Sequence, residues 1–245
     1  MKKIRIVIDP GHGGEDRWNR GPTTYIEADG VLAISKYLQE ALEKTGHFEV
    51  KLTREKDESL TLKQRAQIAR DFQADLFISE HTNAFNGTAR GTEVYYSVKR
   101  PKDRGLAGRM SRVIANHFET HNRGSKTRLN TQRDDFYGIL YYGALYNIPS
   151  ILLIESLFHD NVREERILLG DHNLESLAQV QCEMIMDHYG FTSGEDREEG
   201  EESSGKESRE KLYRVQVGAF REKGNALRMI ESLEEDGYPT YLVLP

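Results

Sequence analysis

The sequence predicts an α/β fold, with a largely parallel or mixed sheet carrying helices and a small, partial α+β appendage behind it. Three observations carry this. Short apolar runs of strand character alternate with longer stretches whose apolar residues recur at helical spacing. Glycine and proline punctuate the joints between them. Near residue 194 the composition changes abruptly to acidic and polar, and a second short strand-helix-strand pattern follows.

Residues 4–8 are an apolar run that stops at Asp9-Pro10-Gly11, a strand entering a loop. Residues 26–42 place Val31, Ile34, Leu38 and Leu42 on one helical face, with Gly46 near the stop. Residues 48–52 alternate as a strand does, and residues 62–72 return to helical spacing. Residues 76–79 and 92–98 read as strands, 105–121 as a helix, 151–154 as a strongly apolar strand, and 174–189 as a long closing helix. Residues 194–211 follow, with eight acidic and four basic side chains and no apolar one, so they hold −4 of the net charge of −6. Such a segment buries too little surface to offset its ordering entropy and reads as a disordered linker. Beyond it, residues 213–220 alternate like a strand, residues 225–235 read as a helix, and residues 241–244 begin another strand. These 33 residues are fewer than a domain usually needs to fold unaided. The expected division is therefore 1–192, a linker at 193–211, and a partial domain at 212–245.

The 245 residues are 37 % hydrophobic and 30 % charged. A net charge of −6 argues against a nucleic-acid partner, which asks for a basic face. The single cysteine, Cys182, has no intramolecular partner and sits among Val180, Met184 and Ile185, so it reads as a small buried hydrophobe. The apolar run after Met1-Lys2-Lys3 is too short and interrupted for a secretory signal. No segment approaches the ~20 apolar residues that span a bilayer. The expectation is a monomeric protein without a membrane span, cytoplasmic until lysis or a holin-type route releases it.

Two histidines stand at the ends of expected strands, His12 in Asp9-Pro10-Gly11-His12-Gly13-Gly14 and His81 after Leu76-Phe77-Ile78-Ser79-Glu80. In α/β sheets ligands collect in the crevice at the carboxyl ends of the strands. Gly11, Gly13 and Gly14 let the backbone run close to whatever His12 holds. Glu27 opens the first helix, so the three side chains could converge on one zinc and leave a fourth position for water. Taken singly, each histidine reads as structural or exposed, and Glu27 as a first-turn acid meeting the helix dipole.

Four stretches, in order, give a sharper indication: Ile8 to Gly14 with Glu27; Ser79-Glu80-His81-Thr82-Asn83; Gly91-Thr92-Glu93-Val94-Tyr95-Tyr96; and Leu153 to Asn161. Together they resemble the zinc N-acetylmuramoyl-L-alanine amidases over roughly residues 3–190. The resemblance implies a twisted, mixed, mostly parallel sheet flanked by helices. It implies Zn2+ on His12, Glu27 and His81, with Glu155 as the catalytic acid/base. It also implies the bond cut, the amide joining N-acetylmuramic acid to L-alanine of the stem peptide in peptidoglycan, as in a phage endolysin or a bacterial autolysin acting at the cell wall. Two features depart from the family pattern: Glu80 beside the third ligand, where an apolar residue is usual, and residues 17–25 in place of a glycine-rich stretch. Arg65 matches a recurring arginine of the family and reads as structural.

A two-histidine, one-carboxylate zinc site lowers the pKa of bound water and polarises a carbonyl, and a nearby glutamate shuttles the proton. An acid directly after Ile151-Leu152-Leu153-Ile154 is costly to bury without such a task. The His117/His121 pair is a decoy, because a metalloprotease helix wants its glutamate immediately after the first histidine and Glu119 is two residues on. His159 and His172 show no partners in the sequence. Residues 213–220, with Asn225-Ala226 and Gly237-Tyr238, resemble the first half of a SPOR domain, a family that binds peptidoglycan glycan strands. The rival readings are a zinc peptidase of the stem peptide and a non-catalytic wall-binding protein.

Overall fold

The computed structural model describes residues 2–191 and Met229. The linker and partial-domain expectations at 193–211 and 212–245 lie outside the described residues, apart from Met229. In chain order the elements are β1 (Ile4–Pro10), α1 (Glu27–Lys44), β2 (Phe48–Leu52), α2 (Leu62–Asp71), β3 (Leu76–Asn83), β4 (Thr92–Tyr96), α3 (Arg104–His117), β5 (Asn122–Lys126), α4 (Gly138–Leu145), β6 (Ser150–Phe158), α5 (Val162–Leu168) and α6 (Asp171–His188).

The strands form one six-stranded sheet in the order β2-β1-β3-β6-β4-β5. Every neighbouring pair is parallel except β4–β6. The sheet is thus mixed and mostly parallel, as expected. Its strands are apolar on both faces because both are covered. Ile6, Ile8, Leu76, Ile78, Leu152 and Ile154 pack with residues of α1, α3 and α6. The alternate residues Val7, Phe77, Ile151 and Leu153 pack with residues of α2 and α4. The period-two alternation of a strand decides which layer each side chain enters, and it decides the site as well.

Each helix forms for a local reason. In α1 the buried Val31, Ile34, Leu38 and Leu42 make the stripe, and the chain turns off at Gly46 with φ of 76°. In α2 Thr61 and Gln64 make a reciprocal capping box. Cys182 is buried on α6 as expected. No helix among the described residues is long and apolar enough to cross a membrane.

The structure corrects several boundaries. β3 continues through His81 to Asn83, and β6 through Glu155 to Phe158, so both side chains stand within strands rather than after them. The expected helix at 105–121 ends at His117, because Glu119 adopts φ of 49° and the chain then enters β5. The structure adds β5, α4 and α5 to the elements that the sequence pattern predicts.

Candidate metal centre and active site

The site is built along the carboxyl edge of β1, β3 and β6. Pro10 pairs with Glu80, His81 with Glu155, and Glu155 with Glu93 on the antiparallel β4. His81, Glu155 and Glu93 are therefore cross-strand neighbours that leave the sheet on one face. Glu27 reaches the same place from the first residue of α1, where its buried carboxylate accepts the Thr82 N–H at 3.0 Å.

The structure brings the three expected ligands together. One ligand atom from each of His12, Glu27 and His81 lies within 4.8 Å of the other two. His12 Nε2 stands 3.3 Å from Glu27 Oε2, and His81 Nδ1 stands 3.0 Å from Glu27 Oε1. The two rings meet edge to face with centroids 4.9 Å apart. On its far side, His12 Nδ1 is 2.8 Å from Asp16 Oδ2, the carboxylate-histidine arrangement that fixes a ligand's tautomer and raises its basicity. Burial disfavours charge on His12, but Glu27 and Asp16 outweigh it and raise its proton affinity to about 9. Burial likewise works against the Glu27 carboxylate, and hydrogen bonds from His12 and His81 hold it well below the usual range. Two imidazole nitrogens and a buried carboxylate oxygen converge closely enough to hold a metal ion in place of a shared proton. That donor set suits a zinc ion.

Two buried arginines hold the turn that carries His12. Arg54 donates to the carbonyls of Pro10, Gly11 and Ala28, tying the end of β1 to the first turn of α1. Arg65 donates to the carbonyls of Pro10 and His12 and to the Asp9 carboxylate at 2.8 Å. Burial pushes the Asp9 carboxyl up, but Arg65 and the hydroxyls of Thr53 and Ser79 bring it below its ordinary value. Arg65 is thus a positioning residue. His12 itself sits at φ of 58°, a left-handed conformation that these bonds stabilise. Gly11 is required by close approach, since a Cβ there would lie 2.2 Å from the His81 ring.

Glu155 stands beside His81 with its Oε2 buried and without a hydrogen-bond partner. Desolvation, then the neighbouring Glu27 and Glu93 charges, raise its proton affinity well above that of a free carboxylate. Glu80 points into the other layer. It is fully buried, accepts from Gln181 at 3.3 Å, and is pushed up to about 8 by burial. The departure at Glu80 therefore leaves the ligand set untouched.

The substituted loop is tied down by polar contacts. Arg17 bridges Asp29 and Asp57, the Asn19 carbonyl accepts the Glu27 N–H, and Glu165 accepts from the Thr23 and Tyr25 amides. Trp18, at the tip, is 83 % exposed.

Several functional residues escaped sequence reasoning. His159 has partners after all: its Nδ1 lies 3.0 Å from the Thr82 hydroxyl and 3.9 Å from Glu27 Oε2, and its ring stacks on Tyr25. Its place four residues after Glu155 at the end of the same strand was the available signal. Asp16 and Arg54 left none, being polar residues in polar loops. His117, His121 and His172 are exposed, and His121 lies beyond the end of α3, so the decoy pair is not on one helix.

Residues 6–187 match the family described as Amidase_3, N-acetylmuramoyl-L-alanine amidase, and residues 209–244 match the SPOR domain. The sporulation-specific N-acetylmuramoyl-L-alanine amidase of Bacillus subtilis (strain 168) is 29 % identical over 98 % of this chain and 85 % of its own length. YqiI of the same organism is 35 % identical over 60 % of this chain, and the match spans 66 % of YqiI. Among solved structures, the catalytic domain of CwlV, an N-acetylmuramoyl-L-alanine amidase from Bacillus (Paenibacillus) polymyxa var. colistinus, is similar with a TM-score of 0.65. It is 27 % identical, with 76 % of this chain and 98 % of that one covered.

Proposed function

The chain belongs to the N-acetylmuramoyl-L-alanine amidase family, and from that premise we propose how its residues cut the amide between N-acetylmuramic acid and L-alanine in peptidoglycan. His12, Glu27 and His81 would hold the metal, which we assign as zinc from the donor set. Zinc bound there supplies Lewis acidity to the scissile carbonyl and makes water acidic enough to attack near neutral pH.

The chain's own residues do the rest. Asp16 holds the His12 ring by its other nitrogen, and Arg54 and Arg65 keep that turn facing Glu27. Glu155, in the strand next to His81, takes the proton from the attacking water and returns it to the leaving amine of L-alanine. The observation that carries this reading is the place of Glu155, cross-strand from His81 beside the three-ligand cluster, with its Oε2 buried and unpartnered.

The match at residues 209–244 supports a wall-binding module at the end of the chain, joined through the acidic residues 193–211. A tether of that kind raises the local concentration of substrate. Mass spectrometry of digested peptidoglycan tests the catalytic assignment. The expected products are peptides with a free L-alanine amine and intact muramic acid, and they should vanish on chelation. Cleavage within the stem peptide, or cleavage that survives chelation, contradicts it.

A further inference from the structure

We propose that Arg123, supported by Lys126, anchors a carboxylate of the stem peptide and so fixes the leaving side of the substrate against β4 and β5. The inference rests on the amidase reading above and deepens it.

Glu93 is the hub. Its Oε1 accepts from Asn83 at 3.0 Å and from the Tyr95 hydroxyl at 2.9 Å; its Oε2 accepts from Arg123 Nε and from Lys126 Nζ, both at 2.5 Å. Burial alone would raise the Glu93 carboxyl, but Lys126, Arg123 and Tyr95 hold it below the usual range. Two cations therefore share one carboxylate, and the group carries a positive charge beyond what Glu93 balances. Glu93 is nearly buried, whereas Arg123 and Lys126 keep about a third of their side chains open to solvent.

The guanidinium is held in a useful pose. Its Nε is bonded to Glu93 and its Cζ lies 4.9 Å from the centre of the Phe158 ring. Among the described residues nothing bonds its two terminal nitrogens, which form the planar fork that grips a carboxylate through two parallel hydrogen bonds. An arginine orientated on one edge and free on the other is preorganised for an anion.

The position fits the substrate. Glu93 faces Glu155 directly across the strand pair, and neighbouring strands are about 4.8 Å apart. An extended peptide advances ~3.3–3.6 Å per residue. A carboxylate on the residue after L-alanine therefore falls roughly 7 Å from the scissile carbonyl, and Arg123 is bonded to Glu93, the cross-strand neighbour of Glu155. In peptidoglycan that second residue is a γ-linked D-glutamate, which presents a free α-carboxylate or its carboxamide. The anchor should distinguish the two forms.

The test uses the zinc-loaded full chain and two muropeptides that differ only in carboxylate or carboxamide at the second stem residue. Wild type should show a KM about tenfold lower for the acid. Arg123→Ala should erase that preference by raising KM for the acid more than KM for the amide substrate. Arg123→Lys, which keeps the charge without the fork and leaves Glu93 paired, should retain part of the preference. Lys126→Ala should reduce it less than Arg123→Ala. Equal KM values for both substrates in the wild type overturn the anchor while leaving the amidase reading standing. So does an Arg123→Ala loss expressed equally on both substrates. Cleavage of neither substrate by the wild type overturns both readings.

Discussion

The two flanks of the site handle buried charge in opposite ways. On the β1–α1 flank the buried Asp9, Arg54 and Arg65 all have partners. Asp9 accepts from Arg65, Thr53 and Ser79, and Arg54 is spent entirely on backbone carbonyls. On the β6–β4 flank Glu155 keeps one oxygen with no partner, and Arg123 offers its terminal nitrogens to no described residue. A saturated network rigidifies its surroundings, whereas an unpaired buried group is costly to keep without a task. The contrast assigns positioning to the first flank and substrate chemistry to the second.

If that division is right, the largest effect on turnover belongs to Glu155. Glu155→Gln keeps the size and removes the proton shuttle, so kcat should fall about 10²–10⁴-fold with bound zinc unchanged. A fall in zinc content alongside activity would move Glu155 into the ligand set. On the saturated flank the damage should appear as stability. Arg65→Met strips the buried Asp9 of its ion pair and should cost about 3–5 kcal/mol in denaturant unfolding. A cost below about 1 kcal/mol, the range of exposed pairs, would show that the network does not hold the turn.

Asp16→Asn sits between the two classes. It leaves His12 in place but weakens its outer partner, and zinc affinity should drop about 10–100-fold with little change in melting of the zinc-free protein. A drop in both would make Asp16 structural. The smallest effect is on acid stability. The folded Asp9 carboxyl binds its proton less tightly than the unfolded one, whose ordinary value is 3.8. Its stabilisation is therefore complete above that value and lost as pH falls through the lower folded value. Unfolding scans between neutral pH and pH 3 should show the loss confined to the acid end and smaller in Asp9→Asn, in which Glu27 and Glu93 keep their own share. A loss already evident near pH 6 would point to another group.

Much of the frame was legible in the sequence. β1, β2, α1 and α6 declare themselves because their apolar residues keep the period of the element they build. The far ends of β3 and β6 did not, because His81, Asn83, Glu155 and Ser156 are polar and a polar strand end reads as loop. β5 consists of Asn122-Arg123-Gly124-Ser125-Lys126, which carries no apolar signal on the sheet edge. α4 is apolar around most of its circumference and shows no period. The site divides along the same line. His12, Glu27, His81 and Glu155 were reached through ordered motifs, and their spacing alone left structural readings open. Asp16, Arg54, Glu93 and His159 depend on contacts between residues far apart in sequence or hidden in polar loops, and only the folded chain displays them.

The central claim, three ligands and a separate proton shuttle, is tested most directly by zinc content measured on purified full-length variants. Wild type and Glu155→Gln should both carry stoichiometric zinc. His12→Ala, Glu27→Ala and His81→Ala should lose it while remaining folded by circular dichroism. A His81→Ala chain that keeps its zinc, or a zinc-replete Glu155→Gln chain that still digests sacculi at the wild-type rate, would contradict the account.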